Sequence, residues 1–232
     1  MRKIIFIPGL LGNAHFWNPI IKKLSPDYQC QVLDISRGDS IEEWAQRVWD
    51  KTEDEAILVG FSLGAWIACY AALLSPNRCR GIVLISSAPG SLREPIRALF
   101  ESYTQQIQSG QFEAFLEDDF SQDVAPMNQG NVLLKERFMS MAQKQSKDTA
   151  ISQLKSMIQF KGFKDLSYIK CPTLLLRGAY DKSVNITRQE EMLKEISMTE
   201  LGIVPDAAHY IPLENPGVTL QSIRDWLIRN NL

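Results

Sequence analysis

Gly60-Phe61-Ser62-Leu63-Gly64 is the stretch of this chain whose residue types and spacing suit chemistry on a carbonyl. A serine hydroxyl becomes a useful nucleophile only when it is held clear of the backbone, beside a base and above donors for an oxyanion. Glycines two residues to either side allow a turn so tight that a Cβ would strike the neighbouring strand or helix. Such a turn pushes Ser62 toward positive φ, an uncommon conformation for a residue with a side chain. Ala56-Ile57-Leu58-Val59 ahead of it reads as a short apolar strand, and Ala65 to Leu74 behind it as a helix of small residues. Strand, sharp turn and helix form the context in which a G-x-S-x-G match carries a mechanism. Ser62 is the expected nucleophile.

A serine nucleophile needs a base, and the sequence holds two histidines, His15 and His209. Both follow expected strands, where open parallel sheets gather functional groups. The order nucleophile, acid, base that accompanies such an elbow puts the base last and selects His209. His15, at the start of a helix beside the first loop, is left a structural or pocket-lining role, with substrate contact as the alternative. The acid that orients the imidazole should be a carboxylate just past a strand. Leu174-Leu175-Leu176-Arg177-Gly178-Ala179-Tyr180-Asp181 supplies Asp181. Ser86-Ser87-Ala88-Pro89, one strand earlier, offers no carboxylate, and Asp206 reads as a turn residue.

The elements that must position these groups alternate. Lys3 to Ile7 is a continuous apolar run ending in Pro8-Gly9, the pattern of a strand buried on both faces. Asn13 can cap a helix from Ala14 to Leu24, and Cys30 to Ile35 gives a second strand. Ser40 with Glu43 has capping-box spacing ahead of a helix through Trp44 and Val48. After the elbow, Gly81 to Ile85 is another strand. This βαβ order implies a mainly parallel sheet with helices on both faces. From Pro89 to Asp165 the pattern is helical: Ile96 to Gln108, Phe112 to Leu116, and two stretches between Val132 and Lys155. Strands resume at Thr173 to Leu176 and Thr199 to Val204, with helices from Thr187 to Ile196 and Gly217 to Arg229. The expected organisation is a core of residues 1–88 and 166–232 with a helical insertion, 89–165.

At 232 residues the chain suits one α/β domain and buries enough surface to need neither disulfide nor metal for stability. Net charge −2 gives no reason to expect nucleic acid or an anionic membrane as partner. No apolar run approaches the ~18 residues of a membrane span, and Pro8-Gly9 ends the N-terminal apolar run too early for a signal peptide, so a cytoplasmic location is expected. Cys30, Cys69, Cys79 and Cys171 lack metal or redox spacing and read as buried free thiols. No metal site and no cofactor are expected.

Four segments in this order resemble the α/β-hydrolase superfamily over essentially the whole chain. They are Pro8-Gly9-Leu10-Leu11-Gly12-Asn13-Ala14 with Trp17, Gly60-Phe61-Ser62-Leu63-Gly64, Cys171 to Gly178 with Asp181, and Ala208-His209-Tyr210. The resemblance implies an acyl-enzyme route: Ser62 attacks a carbonyl, His209 takes its proton, Asp181 holds His209, and water releases the acyl group. It maps the oxyanion donors onto the amides of Leu63 and Leu10. The chain departs from the family in three places. Pro8-Gly9 stands where a His-Gly pair is common, and the chain begins directly on the strand before the oxyanion loop. Ala65-Trp66 stands where a second glycine is frequent, and Trp66 is expected to pack. The sheet should therefore be reduced, with about six strands.

The insertion sits where family members place a helical cap. Leu11, Trp17, Phe61 and Tyr210 should line the pocket floor, and Phe112, Phe115, Phe138 and Met139 should face it from above. Together they favour a small or medium, largely apolar acyl group, in an ester, a lactone or a methyl ester carried on a larger partner. The insertion is acidic early (Glu113, Glu117, Asp118, Asp119, Asp123) and basic later (Lys135, Arg137, Lys144, Lys147, Lys155). Solvated helix faces explain both runs, while docking of an acidic acyl carrier protein is the sharper reading of the basic one. The alternative of a different class is a small-ligand binding or signalling protein that keeps the fold and the triad.

Overall fold

A computed structural model describes residues 1–184 and 186–232. In chain order the elements are β1 (Arg2–Ile7), α1 (Ala14–Leu24), β2 (Tyr28–Val32), α2 (Ile41–Asp50), β3 (Ala56–Phe61), α3 (Leu63–Leu74) and β4 (Cys79–Ile85). Four helices follow without a strand: α4 (Ile96–Gln108), α5 (Phe112–Asp123), α6 (Val132–Ala142) and α7 (Lys147–Gln159). Then come β5 (Thr173–Gly178), α8 (Ile186–Glu195), β6 (Thr199–Val204), the single turn α9 (Ile211–Glu214) and α10 (Pro216–Arg229). The six strands form one sheet in the order β2-β1-β3-β4-β5-β6, and every neighbouring pair is parallel. The reduced parallel sheet is the one the sequence leads one to expect.

Alternate residues of each strand point to opposite faces, so the apolar runs feed two cores. Phe6, Val59, Val83 and Leu176 join Trp17 of α1 and Trp226 of α10 on one side. Ile5, Leu58, Leu84 and Leu175 join Trp44 of α2 and Ile67 of α3 on the other. Helix α3 is buried over most of its circumference, which explains its Ala-rich, uncharged composition. Its closeness to the sheet is set at Gly60 and Gly64. A Cβ on Gly64 would lie 2.1 Å from the Ile7 carbonyl oxygen, and one on Gly60 would lie 2.3 Å from that of Gly64.

Strand β4 starts at Cys79 rather than Gly81, β5 runs to Gly178 rather than Leu176, and the single turn α9 is an addition; two further differences have a plain physical reason. Strand β2 ends at Val32 rather than Ile35, because β1 stops at Ile7 before Pro8; the last cross-strand bond runs from Leu33 N–H to Phe6 O, at 2.8 Å. Helix α5 continues past Leu116 to Asp123, carried by Phe120 packing into the first core.

Candidate active site

Ser62 lies between the end of β3 and the start of α3 with φ 51° and ψ −115°. Its conformation is the strained turn the flanking glycines permit, at a cost of about 1–3 kcal/mol. Main-chain bonds hold it there: Ser62 N–H donates to Ile85 O at 2.9 Å, and Ser62 O accepts from Ala65 N–H at 3.0 Å. Ser87 Oγ donates to the same carbonyl at 3.1 Å, and Trp66 Nε1 donates to Ser87 Oγ, also at 3.1 Å. Trp66 therefore does more than fill space, since its indole fixes the hydroxyl that braces Ser62 from behind.

His209 Nε2 lies 3.1 Å from Ser62 Oγ, and His209 Nδ1 lies 3.2 Å from Asp181 Oδ2. The other Asp181 oxygen accepts the amides of Ser183 (2.9 Å) and Val184 (3.0 Å), so the buried carboxylate is locked in one orientation. Burial pushes the Asp181 pKa up, but His209 and the two amides outweigh it and hold the carboxyl below its usual range. Burial also works against a charged imidazole. The facing carboxylates of Asp181, Asp123 and Asp119 overcome it and raise the His209 pKa to about 9. That is well above the 6–7 of an ordinary histidine base.

The amides of Leu10 and Leu63 have no partner among the described residues, and Leu63 opens α3, whose first turn presents unpaired N–H groups and the positive end of the helix dipole. The next amide, Leu11 N–H, is committed to Gln153 Oε1 at 2.8 Å, and Gln153 Nε2 is anchored on Ile35 O at 3.0 Å. Leu10 is thus left as the loop's inward residue, on the wall of a cavity of about 610 Å³ that reaches Ser62 and His209. The fold sets a serine, an imidazole and Leu10, with its unpaired amide, on the wall of that cavity, with the Asp181 carboxylate buried behind the imidazole and the Leu63 amide next to the serine in the chain. This arrangement can activate a hydroxyl and receive a developing oxyanion.

A family profile described as the alpha/beta hydrolase fold matches residues 3–216. The chain belongs to the alpha/beta hydrolase family. A pimeloyl-[acyl-carrier protein] methyl ester esterase of Photobacterium profundum is 26% identical over 243 residues, covering 97% of this chain and 94% of that protein. The protein of the same name from Edwardsiella ictaluri is 32% identical over a shorter match, 38% of this chain and 37% of its own. Among solved structures, a thermophilic esterase from Thermogutta terrifontis superposes with a TM-score of 0.89 at 18% identity, covering 100% of this chain and 91% of that one. The enol-lactonase from Burkholderia xenovorans gives 0.86 at 15% identity, covering 98% and 91%, and both likenesses speak for the fold. Family membership and the esterase-named relatives identify the chain as an enzyme of the carboxylic ester hydrolase type.

The cavity wall differs from the one expected. Of the eight apolar candidates, Phe61 and Tyr210 line it. Leu11, Trp17, Phe115 and Phe138 are instead fully packed in the first core, and Phe112 and Met139 sit against its edge. The reason is that α5 and α6 turn their aromatic faces down onto the sheet-side core rather than into the opening, with Phe138 packed behind Tyr210 at a ring separation of 5.1 Å. The apolar wall comes from Trp66, Ile96, Leu99, Phe100, Met157 and Phe163. His15 is exposed and bonds Lys144, away from the cavity. Lys135 pairs with Glu117, so two members of the basic run have local partners. The charged side chains that do reach the cavity include Arg93, Lys161 and Lys182, together with Asp119 and Asp123. Glu214, which no sequence motif marks, accepts the amides on both sides of His209, from Ala208 at 2.9 Å and Tyr210 at 3.2 Å. Its position five residues after the histidine was the only available signal.

Proposed function

We propose that this enzyme cleaves a carboxylic ester of a small or medium, largely apolar acyl group through an acyl-enzyme formed on Ser62. The observation that carries the reading is the continuous relay from Asp181 to His209 to Ser62 Oγ, with Ser62 and His209 on the wall of a partly open cavity that also presents Trp66, Leu99, Phe100 and Met157. Ser62 Oγ adds to the acyl carbon while His209 Nε2 accepts its proton. The tetrahedral oxyanion is held by the Leu10 and Leu63 amides, each such donor contributing roughly 3–4 kcal/mol to the transition state. His209 then returns the proton to the departing alcohol, and water repeats the sequence to free the acid. The interposed helices α4–α7 act as a cap that shapes the acyl pocket and limits water.

The similar proteins named as pimeloyl-[acyl-carrier protein] methyl ester esterases favour a methyl ester on a carried acyl chain as the form of substrate. The cationic side chains of Arg93 and Lys161 on the cavity wall suit an acidic carrier or its phosphate. The test is labelling by a fluorophosphonate and turnover of p-nitrophenyl esters of graded chain length, with methyl esters in free and carrier-linked form. Both labelling and turnover should disappear in Ser62→Ala, with kcat down about 10³–10⁶-fold. A wild type that neither labels nor turns over any ester would establish the binding-protein alternative instead.

A further inference from the structure

Helix α5 ends against the usual rules. Its last two turns carry Asp118, Asp119 and Asp123, and its last turn has no basic residue. Carboxylates at the negative end of a helix dipole, two of them one turn apart, destabilise the helix that bears them. A local conflict of this kind points to a use elsewhere in the molecule. Asp118 is exposed and bonds Gln106, as a solvated residue would. Asp119 and Asp123 are half-buried and line the same cavity as Ser62 and His209.

Asp123 touches both loops that carry the relay. Its main-chain oxygen accepts the His209 amide at 2.9 Å. Its carboxylate accepts the hydroxyl of Ser183, whose own amide donates to Asp181 at 2.9 Å. Asp119, one turn earlier, accepts the hydroxyl of Tyr210, the neighbour of His209. We propose that Asp123 is a positioning residue that ties the acid loop and the base loop to the end of one cap helix. With Asp119 it sets negative charge opposite His209, so that the imidazolium formed as Ser62 loses its proton is stabilised. The proposal rests on the hydrolase reading above, in which His209 is the base.

Every element around the imidazole enters its electrostatics. The elbow contributes Ser62, the acid loop Asp181, α5 Asp119 and Asp123, and its own loop Tyr210, while Glu214 of α9 accepts the amides on either side of His209 and Lys182 and Tyr103 line the same cavity. Four carboxylates outnumber the one cation among these, which fixes the direction of the effect. Developing positive charge on His209 is favoured, and the neutral base form requires a more alkaline medium.

The chain has two histidines, so ring proton resonances followed from pH 5 to 10.5 read His209 directly once His15→Gln has assigned the other. The comparison is between wild type, Asp123→Asn and the exposed control Asp118→Asn. Asp123→Asn keeps an oxygen for the Ser183 hydroxyl and loses only the charge. Its His209 titration, and the acid limb of kcat/KM for a p-nitrophenyl ester, should move down by about one pH unit, while Asp118→Asn stays with the wild type. Asp123→Ala, which also drops the Ser183 tie, should lose a further tenfold or so of kcat on the alkaline plateau with KM little changed. Should Asp123→Asn not fold, Asp119→Asn provides the charge comparison in the same direction. Coincident His209 titrations in the wild type, the folded Asp123 or Asp119 variant and Asp118→Asn would overturn the proposal. Titration needs no substrate, so a wild type without esterase activity would end the hydrolase reading and leave this result standing on its own.

Discussion

Replacing Glu214 with glutamine separates how the base loop is held from what the base does. One Glu214 oxygen accepts the amides of Ala208 and Tyr210, and the other accepts the Ala125 amide at 2.8 Å and Asn128 Nδ2 at 2.9 Å. Glutamine keeps one acceptor oxygen and turns the other position into a donor, so two of the four donors face an NH₂ group. A hydrogen bond to a charged acceptor contributes about 1.5–3 kcal/mol, and each orphaned donor costs about 1–3 kcal/mol. Glu214 is half-buried, so water recovers part of this, leaving a loss of roughly 2–4 kcal/mol. For a domain of this size that lowers Tm by roughly 5–15 °C. His209 sits between the two amides released on that side, so kcat should fall by up to about 10²-fold while KM changes little. Differential scanning calorimetry and p-nitrophenyl butyrate kinetics at 20 °C measure both. If Glu214→Gln melts within a degree of the wild type and keeps half its kcat, the carboxylate does not hold the loop and the reasoning fails.

The raised His209 pKa, about 9 against 6.5 for the free side chain, makes two opposite pH trends. The base form gains population as pH rises, so log kcat/KM should climb with unit slope to about pH 9, and a plateau from pH 7.5 would contradict the carboxylate cluster. Stability should run the other way. A folded pKa above the unfolded one contributes stability that is complete below pH 6.5 and lost as pH rises through about 9. Asp119, lifted by burial and Asp123 to about 7 from 3.8, adds an earlier fall in stability between about pH 3.8 and 7, nearly complete before the His209 loss begins. Tm should therefore fall by roughly 5 °C between pH 6.5 and 9.5, and a flat or rising Tm there would refute the assignment. Gly64→Ala should give no active folded protein, because its Cβ would meet main-chain oxygen that no side-chain rotation can relieve. Normal turnover by that variant would show that α3 can withdraw from β1.

Much of the site was legible because its chemistry leaves few options. The elbow is marked by two glycines whose absent Cβ atoms are required by contacts under 2.5 Å. Two histidines and one suitably placed aspartate left little choice for the remaining groups. Strand positions were legible because burial on both faces produces continuous apolar runs. The cavity wall was not, since an aromatic residue on an amphipathic helix looks the same whether it faces a core or an opening. Phe115 and Phe138 went to the core, while Leu99 and Phe100 went to the cavity. Asp119 and Asp123 were masked for a related reason. An acidic run reads as a solvated face, and only the packing of α5 against the acid and base loops distinguishes Asp118 from its two neighbours in that run.

The anchorage of residues 123–128 has a consequence for how this protein can be altered. Asp123, Ala125 and Asn128 are bonded to His209, Glu214 and Asp206, so the segment expected to choose the substrate is stitched to the loop carrying His209. On the proposed reading, recognition and reactivity are not exchangeable modules. A chimera that borrows residues 89–165 from another hydrolase would have to import matching donors and acceptors at these points. Without them, a change of specificity would bring a slower reaction with it.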